Sequence, residues 1–209
     1  MKKSFLVLAI AITLTSATTD ESVFTGKIQY SFSFSDLQGN DITNRMESIL
    51  GREQHYFVID GNYKSYDESQ NITQLYNGRT NTYYGFWKDK TAHRIDALTR
   101  TSQQYKITRL SKTETIQGYK CVAIEVDTDE STTLYYYSPL LRIDFSGFTK
   151  HNFGDLNRYL EATNGALSLK YVITNHKKGY VWTILAKEIS RLNLEETDFE
   201  FPEGYVLKN

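Results

Sequence analysis

The chain has 209 residues, with 24 basic and 25 acidic side chains and no basic stripe, which is not the charge balance of a nucleic-acid binder. Sixteen tyrosines and only two prolines suit a continuous pleated surface.

The N-terminus comes first in the chain. Lys2 and Lys3 precede an apolar run from Phe5 to Leu14, and small residues follow at Thr15, Ser16 and Ala17. This three-part layout is that of a secretory signal peptide, with cleavage expected near Ala17. An uncleaved anchor is the rival reading, although the run is shorter than the about 20 apolar residues that a spanning helix needs. No cysteine lies near the cleavage site, so lipid attachment there is excluded. The expected protein is a single domain, 18–209, exported to the periplasm or beyond and not membrane-spanning. Without Lys2 and Lys3 it keeps 22 basic residues against 25 acidic ones, a net charge of −3.

From residue 24 the pattern turns to strands. Phe24, Ile28, Tyr30, Phe32 and Phe34 alternate with polar residues, which means a strand with one wet face. The segment 36–41, with Gly39-Asn40, breaks it. Short strands are predicted over 45–50, 54–59 and 63–66, with a turn at 60–62. ITQLY and RTNTYYGF flank Asn77-Gly78, a pair that takes positive φ readily, so a tight hairpin is predicted there. Residues 90–96 read as a returning strand, with a short helix over 91–99 as the alternative. Strands are also predicted at 104–110 and 118–126, with a polar turn at 127–131 and a strand at 132–138.

The 118–126 segment, GYKCVAIEV, holds the only cysteine of the chain. An odd cysteine in an exported protein is a reactive thiol, a partner-bonded one, or a small buried apolar residue. Apolar residues on both faces of this strand favour burial of Cys121 and an inert thiol.

Leu156, Tyr159 and Leu160 recur at helical spacing, with Asp155 at the start and Gly165 to end the helix. Leu167, Leu169, Tyr171 and Ile173 then share a strand face, and 176–179 turns the chain. Tyr180, Trp182, Ile184 and Ala186 share a face on the return. The predicted fold is therefore mainly β. An antiparallel meander curls into an incomplete, half-open barrel, because one or two short helices cannot cover so long a sheet. Its concave side has to be filled by side chains, another segment or a ligand.

Motifs that carry chemistry are missing. There is no Gly-x-Ser-x-Gly elbow, no His-Glu-x-x-His and no phosphate loop. His55, His93, His151 and His176 are scattered, and Asp127–Glu130 lacks the glycine and distal glutamate of a calcium loop. No catalytic residue, metal or cofactor is expected.

Four stretches together resemble one family: ETIQGYKCVAIEV (114–126), LYYYSP (134–139), FEFPEGY (199–205) and the first strand GKIQYSFSF. In order and spacing they are similar to exported proteins of Gram-negative envelopes grouped with the LolA/LolB-like lipoprotein-localisation fold. The resemblance implies an incomplete barrel, with helices on its open side, around a hydrophobic cavity. In the characterised relatives that cavity takes lipoprotein acyl chains. No functional residue carries over.

The leading expectation is a non-enzymatic envelope protein that holds a lipid, an acylated group or another hydrophobic ligand against the concave sheet. The candidate cavity residues are Tyr30, Phe32, Phe34, Leu167, Leu169, Tyr171 and Trp182. Burying an acyl chain gains about 0.8 kcal/mol per CH₂, enough to drive binding without reaction. The candidate partners are a lipid or lipoprotein acyl chain and an outer-membrane protein. The alternatives are an assembly factor acting through protein contacts alone, and an enzyme using dispersed carboxylates.

Overall fold

The structure, a computed structural model, describes residues 23–208. The expected signal peptide lies outside the described residues. All the described strands belong to one twelve-stranded sheet. In chain order these are β1 (Gly26–Asp36), β2 (Glu53–Ile59), β3 (Asn62–Tyr66), β4 (Ile72–Asn77), β5 (Thr82–Phe86), β6 (Thr91–Asp96), β7 (Tyr105–Ile116), β8 (Tyr119–Thr128), β9 (Ser131–Arg142), β10 (Ala166–Asn175), β11 (Tyr180–Arg191) and β12 (Val206–Lys208). Two short helices accompany them, α1 (Thr43–Leu50) and α2 (Leu156–Thr163).

The order across the sheet is β12-β6-β5-β4-β3-β2-β1-β11-β10-β9-β8-β7. The mainly β, half-open arrangement expected from the sequence is the observed one. Two meanders, β1 to β6 and β7 to β11, join where β1 pairs with β11 over its whole length, from Gly26↔Arg191 to Asp36↔Tyr180. The sheet curls but does not close, because the end strands of that order, β12 and β7, do not pair with each other. The short β12 runs parallel to β6 and covers its free edge.

Local chemistry explains the turns. Asp60-Gly61 closes the β2–β3 hairpin with positive φ at both residues, as a two-residue loop matched to strand twist demands. The hairpin expected at Asn77-Gly78 is looser. A four-residue loop, 78–81, separates β4 from β5, and Asn81 rather than Gly78 takes the positive φ, at 49°. Gly78 is needed for another reason. A Cβ there would lie 2.5 Å from Gly61 O and 2.7 Å from Gly147 O.

A second departure is at 45–50, expected as a strand and found as part of α1. The Asp41 carboxylate accepts the Thr43 backbone N–H at 2.8 Å and starts the turn. The next residues, Asn44 to Ser48, contain no β-branched side chain to resist a helix. Gly51, at φ 74°, ends it. By contrast 91–96 is a strand, α2 spans 156–163, and Asn164 and Gly165, both at positive φ, terminate it.

The concave face holds the larger core. Phe24, Ile28, Tyr30, Ile124, Leu141, Leu160, Leu169 and Ile184 belong to it, together with Phe148 from the 143–155 segment. Cys121 is fully buried in this cluster, and burial pushes its thiol up to about 11. It is a packing residue, with its Sγ 3.5 Å from the Tyr119 carbonyl oxygen. A smaller core of Ile72, Leu75, Phe86, Ala92 and Phe199 draws the chain end onto the sheet. There Phe201 packs edge-on against Tyr84 and Tyr205 edge-on against Phe86.

Candidate functional site

The two ends of the curled sheet are furnished differently. At the end where the β2–β3 and β4–β5 loops lie, the 143–165 segment folds into the curve. Phe148 stacks on Tyr76 and Tyr63 with ring centroids 5.5 and 6.2 Å apart. The His151 ring lies 4.2 Å from that of Tyr76. Gly61 and Gly147 meet backbone to backbone, so a Cβ on Gly147 would lie 2.7 Å from Gly61 Cα. That end is plugged.

Toward the other end a cavity of about 520 Å³ remains between the concave sheet, α2 and the end of α1. This size falls within the range of small-molecule sites. β1 contributes Tyr30 and Phe32, and β2 contributes Glu53, Gln54 and Tyr56. β3, β4 and β5 add Tyr63, Tyr66, Thr73, Gln74 and Tyr83; β9, β10 and β11 add Tyr135, Leu167, Ser168, Tyr171 and Trp182. His151, Phe153, Leu156, Tyr159 and Leu160 close the inner side, and Ile49 and Leu50 of α1 stand at its rim.

Five of the seven candidate residues, Tyr30, Phe32, Leu167, Tyr171 and Trp182, stand on this wall. Phe34 does not. It is buried, pairs in register with Trp182 and stacks on its indole at 5.5 Å, and so backs the wall instead of forming it. Leu169 is also fully buried and off the wall. The β10–β9 register slips between Ala166 and Ser168 and again between Ser168 and Lys170. Strict alternation therefore fails there, and Ser168 takes a place on the wall.

Strand periodicity missed the character of the lining. Eight tyrosines line the cavity, most of them outside the two apolar faces chosen from the sequence. The available signal was the run of tyrosines at 56, 63, 66 and 83 along the first meander. Their hydroxyls are partly engaged. Tyr30 donates to Ser168 O at 2.7 Å, and Tyr63 OH lies 3.0 Å from His151 Nε2. Burial raises the phenols of Tyr30, Tyr56 and Tyr171 above the ordinary tyrosine value, and it pushes Tyr83 and Tyr135 up to about 12. Burial also lowers His151 to about 4. All of these groups are uncharged near neutrality. None of these phenols has the lowered pKa that would activate a nucleophile.

Gln54, Ser65 and Gln74 form a hydrogen-bonded cluster, with Gln54 Nε2 to Ser65 Oγ at 3.1 Å and Ser65 Oγ to Gln74 Oε1 at 2.9 Å. Glu53 accepts from Gln29 Nε2 at 2.9 Å. Asp67 accepts the backbone N–H groups of Ser69 and Asn71, holding its own loop. Among the described residues no group of three or more His, Cys, Asp or Glu stands together to hold a metal, and no helix is long and apolar enough to cross a membrane.

Comparison with known proteins agrees with a mainly β half-barrel. Residues 13–205 match the family described as a domain of unknown function, DUF4412, and the chain belongs to that family. No curated protein matches it. Among solved structures, PNGF-II is similar at 12% identity and a TM-score of 0.50, over 88% of this chain and 32% of that one. This chain thus spans about a third of that protein's length, and the likeness is one of fold. A LolA superfamily protein from Nitrosomonas europaea matches at 11% identity and a TM-score of 0.38, over 85% of this chain and 90% of that one. A domain of a lipoprotein-sorting protein from Vibrio parahaemolyticus matches at 10% and 0.38, over 86% and 91%.

Proposed function

We propose that the protein is a non-enzymatic binding protein of the cell envelope that holds an amphiphilic or otherwise hydrophobic ligand in the tyrosine-lined cavity. The observation that carries this reading is the cavity itself, about 520 Å³ of ring-walled space kept open at one end of a sheet whose other end is packed solid. Export, with a signal peptide removed near Ala17, is part of the proposal, as is the single domain over 18–209. Five of the sequence-chosen residues, Tyr30, Phe32, Leu167, Tyr171 and Trp182, are proposed as ligand contacts, with Phe34 and Leu169 behind them.

The alternative, an assembly factor working through its sheet edge, has less support. The free edge strand β7 carries Lys106, Arg109, Lys112 and Glu114, and charged side chains of this kind blunt edge pairing. The test is to purify the protein natively, extract it with organic solvent for mass spectrometry, and titrate the delipidated protein with the uncharged fluorophore N-phenyl-1-naphthylamine. Co-purifying lipid or saturable dye uptake is expected. Recovery of no amphiphile together with no dye uptake rejects the reading.

A further inference from the structure

The composition of the cavity wall restricts the ligand further than its size does. Among the described residues, neither lysine nor arginine lines the cavity. The one histidine is neutral, held low by burial and already engaged by Tyr63. The acidic side chains on the wall are Glu53 and Asp67. An anionic head drawn inside would lose its water, meet no lysine or arginine and lie beside two acidic side chains. Burying an unpaired carboxylate costs several kcal/mol even after relaxation, more than a few methylene groups recover.

Hydrogen-bond donors, by contrast, are plentiful. Among the described residues the hydroxyls of Tyr56 and Tyr171 make no hydrogen bond, and burial keeps both protonated. Among the described residues Trp182 Nε1, on a wall residue, is buried without a partner. An indole N–H can only donate, so it is completed by an oxygen acceptor. A donor left unsatisfied in a buried site costs about 1–3 kcal/mol, which a ligand oxygen recovers.

We infer that the cavity selects an uncharged amphiphile bearing carbonyl, ester or ether oxygens on an apolar body, and discriminates against free fatty acids and anionic lipids. This rests on the binding reading above and narrows it. The distinguishing experiment compares two probes that share one chain, monopalmitoylglycerol and palmitate. Each is titrated calorimetrically into the delipidated full-length protein at pH 8, below its aggregation concentration, with N-phenyl-1-naphthylamine run in parallel.

The expected result is at least ten-fold tighter binding of the glycerol ester. In the double variant Tyr56→Phe/Tyr171→Phe, which keeps both rings, the ester should weaken about five-fold while palmitate is unchanged. Palmitate binding as tightly as the ester overturns the inference and leaves the binding reading intact. So does dye uptake without ester binding. Equal loss of both probes in the double variant overturns the assignment of the phenols as ligand donors. Failure of all three probes to bind overturns the binding reading itself.

Discussion

The two ends of the curled sheet are made from the same strands and the same residue types, yet one is core and the other is cavity. At the plugged end rings stack in layers, Phe148 on Tyr76 and Tyr63 with His151 against them, and three glycines let backbones touch. At the open end the rings also pair, Tyr135 with Tyr159 and Tyr171 at 4.6 and 5.7 Å, but they border a cavity, and α1 sits over the rim without one buried residue. The inserted segment 143–155 makes the difference. It fills the first end and stops short of the second. An aromatic strand face therefore becomes a core or a site according to what the rest of the chain lays against it.

The largest expected effect comes from removing the plug. Phe148 is fully buried between tyrosine rings. Phe148→Ala should cost about 3–5 kcal/mol, the range for deleting a buried aromatic side chain, read from the urea midpoint at constant m. Loss of under about 1 kcal/mol would mean that the 143–155 segment is not part of the cooperative core and that the contrast between the ends is only geometric.

Next is the pH dependence set by the plug. His151 is 1% exposed and is lowered to about 4 by burial, against an ordinary 6.5. Between those values the unfolded chain binds a proton that the folded protein refuses. The contribution is fully present above about pH 6.5 and is lost as the pH falls toward 4, in all about 3 kcal/mol at about 1.4 kcal/mol per unit. Asp36, Asp41 and Asp89 are held below their ordinary range by hydrogen bonds from their own loops, so their stabilisation is lost only at lower pH. His151→Gln should flatten stability between pH 4 and 6.5. An unchanged slope in the variant would assign the effect to other groups.

This division of the molecule was only half legible in the sequence. Period-two alternation located β1, β10 and β11 and the residues on their inner faces, because local pattern reports burial directly. It gave the wrong state for 45–50, where an apolar Ile49-Leu50 pair ends a helix that buries nothing, and the wrong turn at Asn77-Gly78, where Gly78 answers to a distant loop. It put Phe34 and Leu169 with the wall residues because a stacked indole and a double register slip are not encoded in spacing. The lining tyrosines of β2 to β5 were visible as residues, but their convergence with α2 is tertiary. No local signal announces it.

Gly147→Ala tests the backbone contact alone. Gly147 has no positive φ, so the substitution brings no conformational penalty of its own. Its Cβ would meet Gly61 Cα at 2.7 Å. Overpacking of this kind costs about 1–3 kcal/mol, measurable by thermal or urea unfolding. A neutral outcome would show that the two loops separate freely and that the plugged end is less fixed than its geometry states.

The smallest effect on stability is expected at the open end. Ile49 is 74% exposed although it stands at the cavity rim, and α1 is tied to the sheet chiefly by the Phe34 N–H to Thr43 Oγ1 bond at 2.9 Å and by the Arg52–Glu47 ion pair beyond its last turn. An exposed side chain has little burial to lose, so Ile49→Ser should change unfolding free energy by under about 0.5 kcal/mol, as surface substitutions do. A ligand leaving the cavity would still cross this side chain. The same variant should therefore weaken N-phenyl-1-naphthylamine binding a few-fold while Phe148→Ala, assayed where it remains folded, alters it less. If Ile49→Ser proves as destabilising as Gly147→Ala, α1 is packed in solution like the plugged end and the rim is closed; if it changes neither stability nor dye binding, the ligand route does not pass α1.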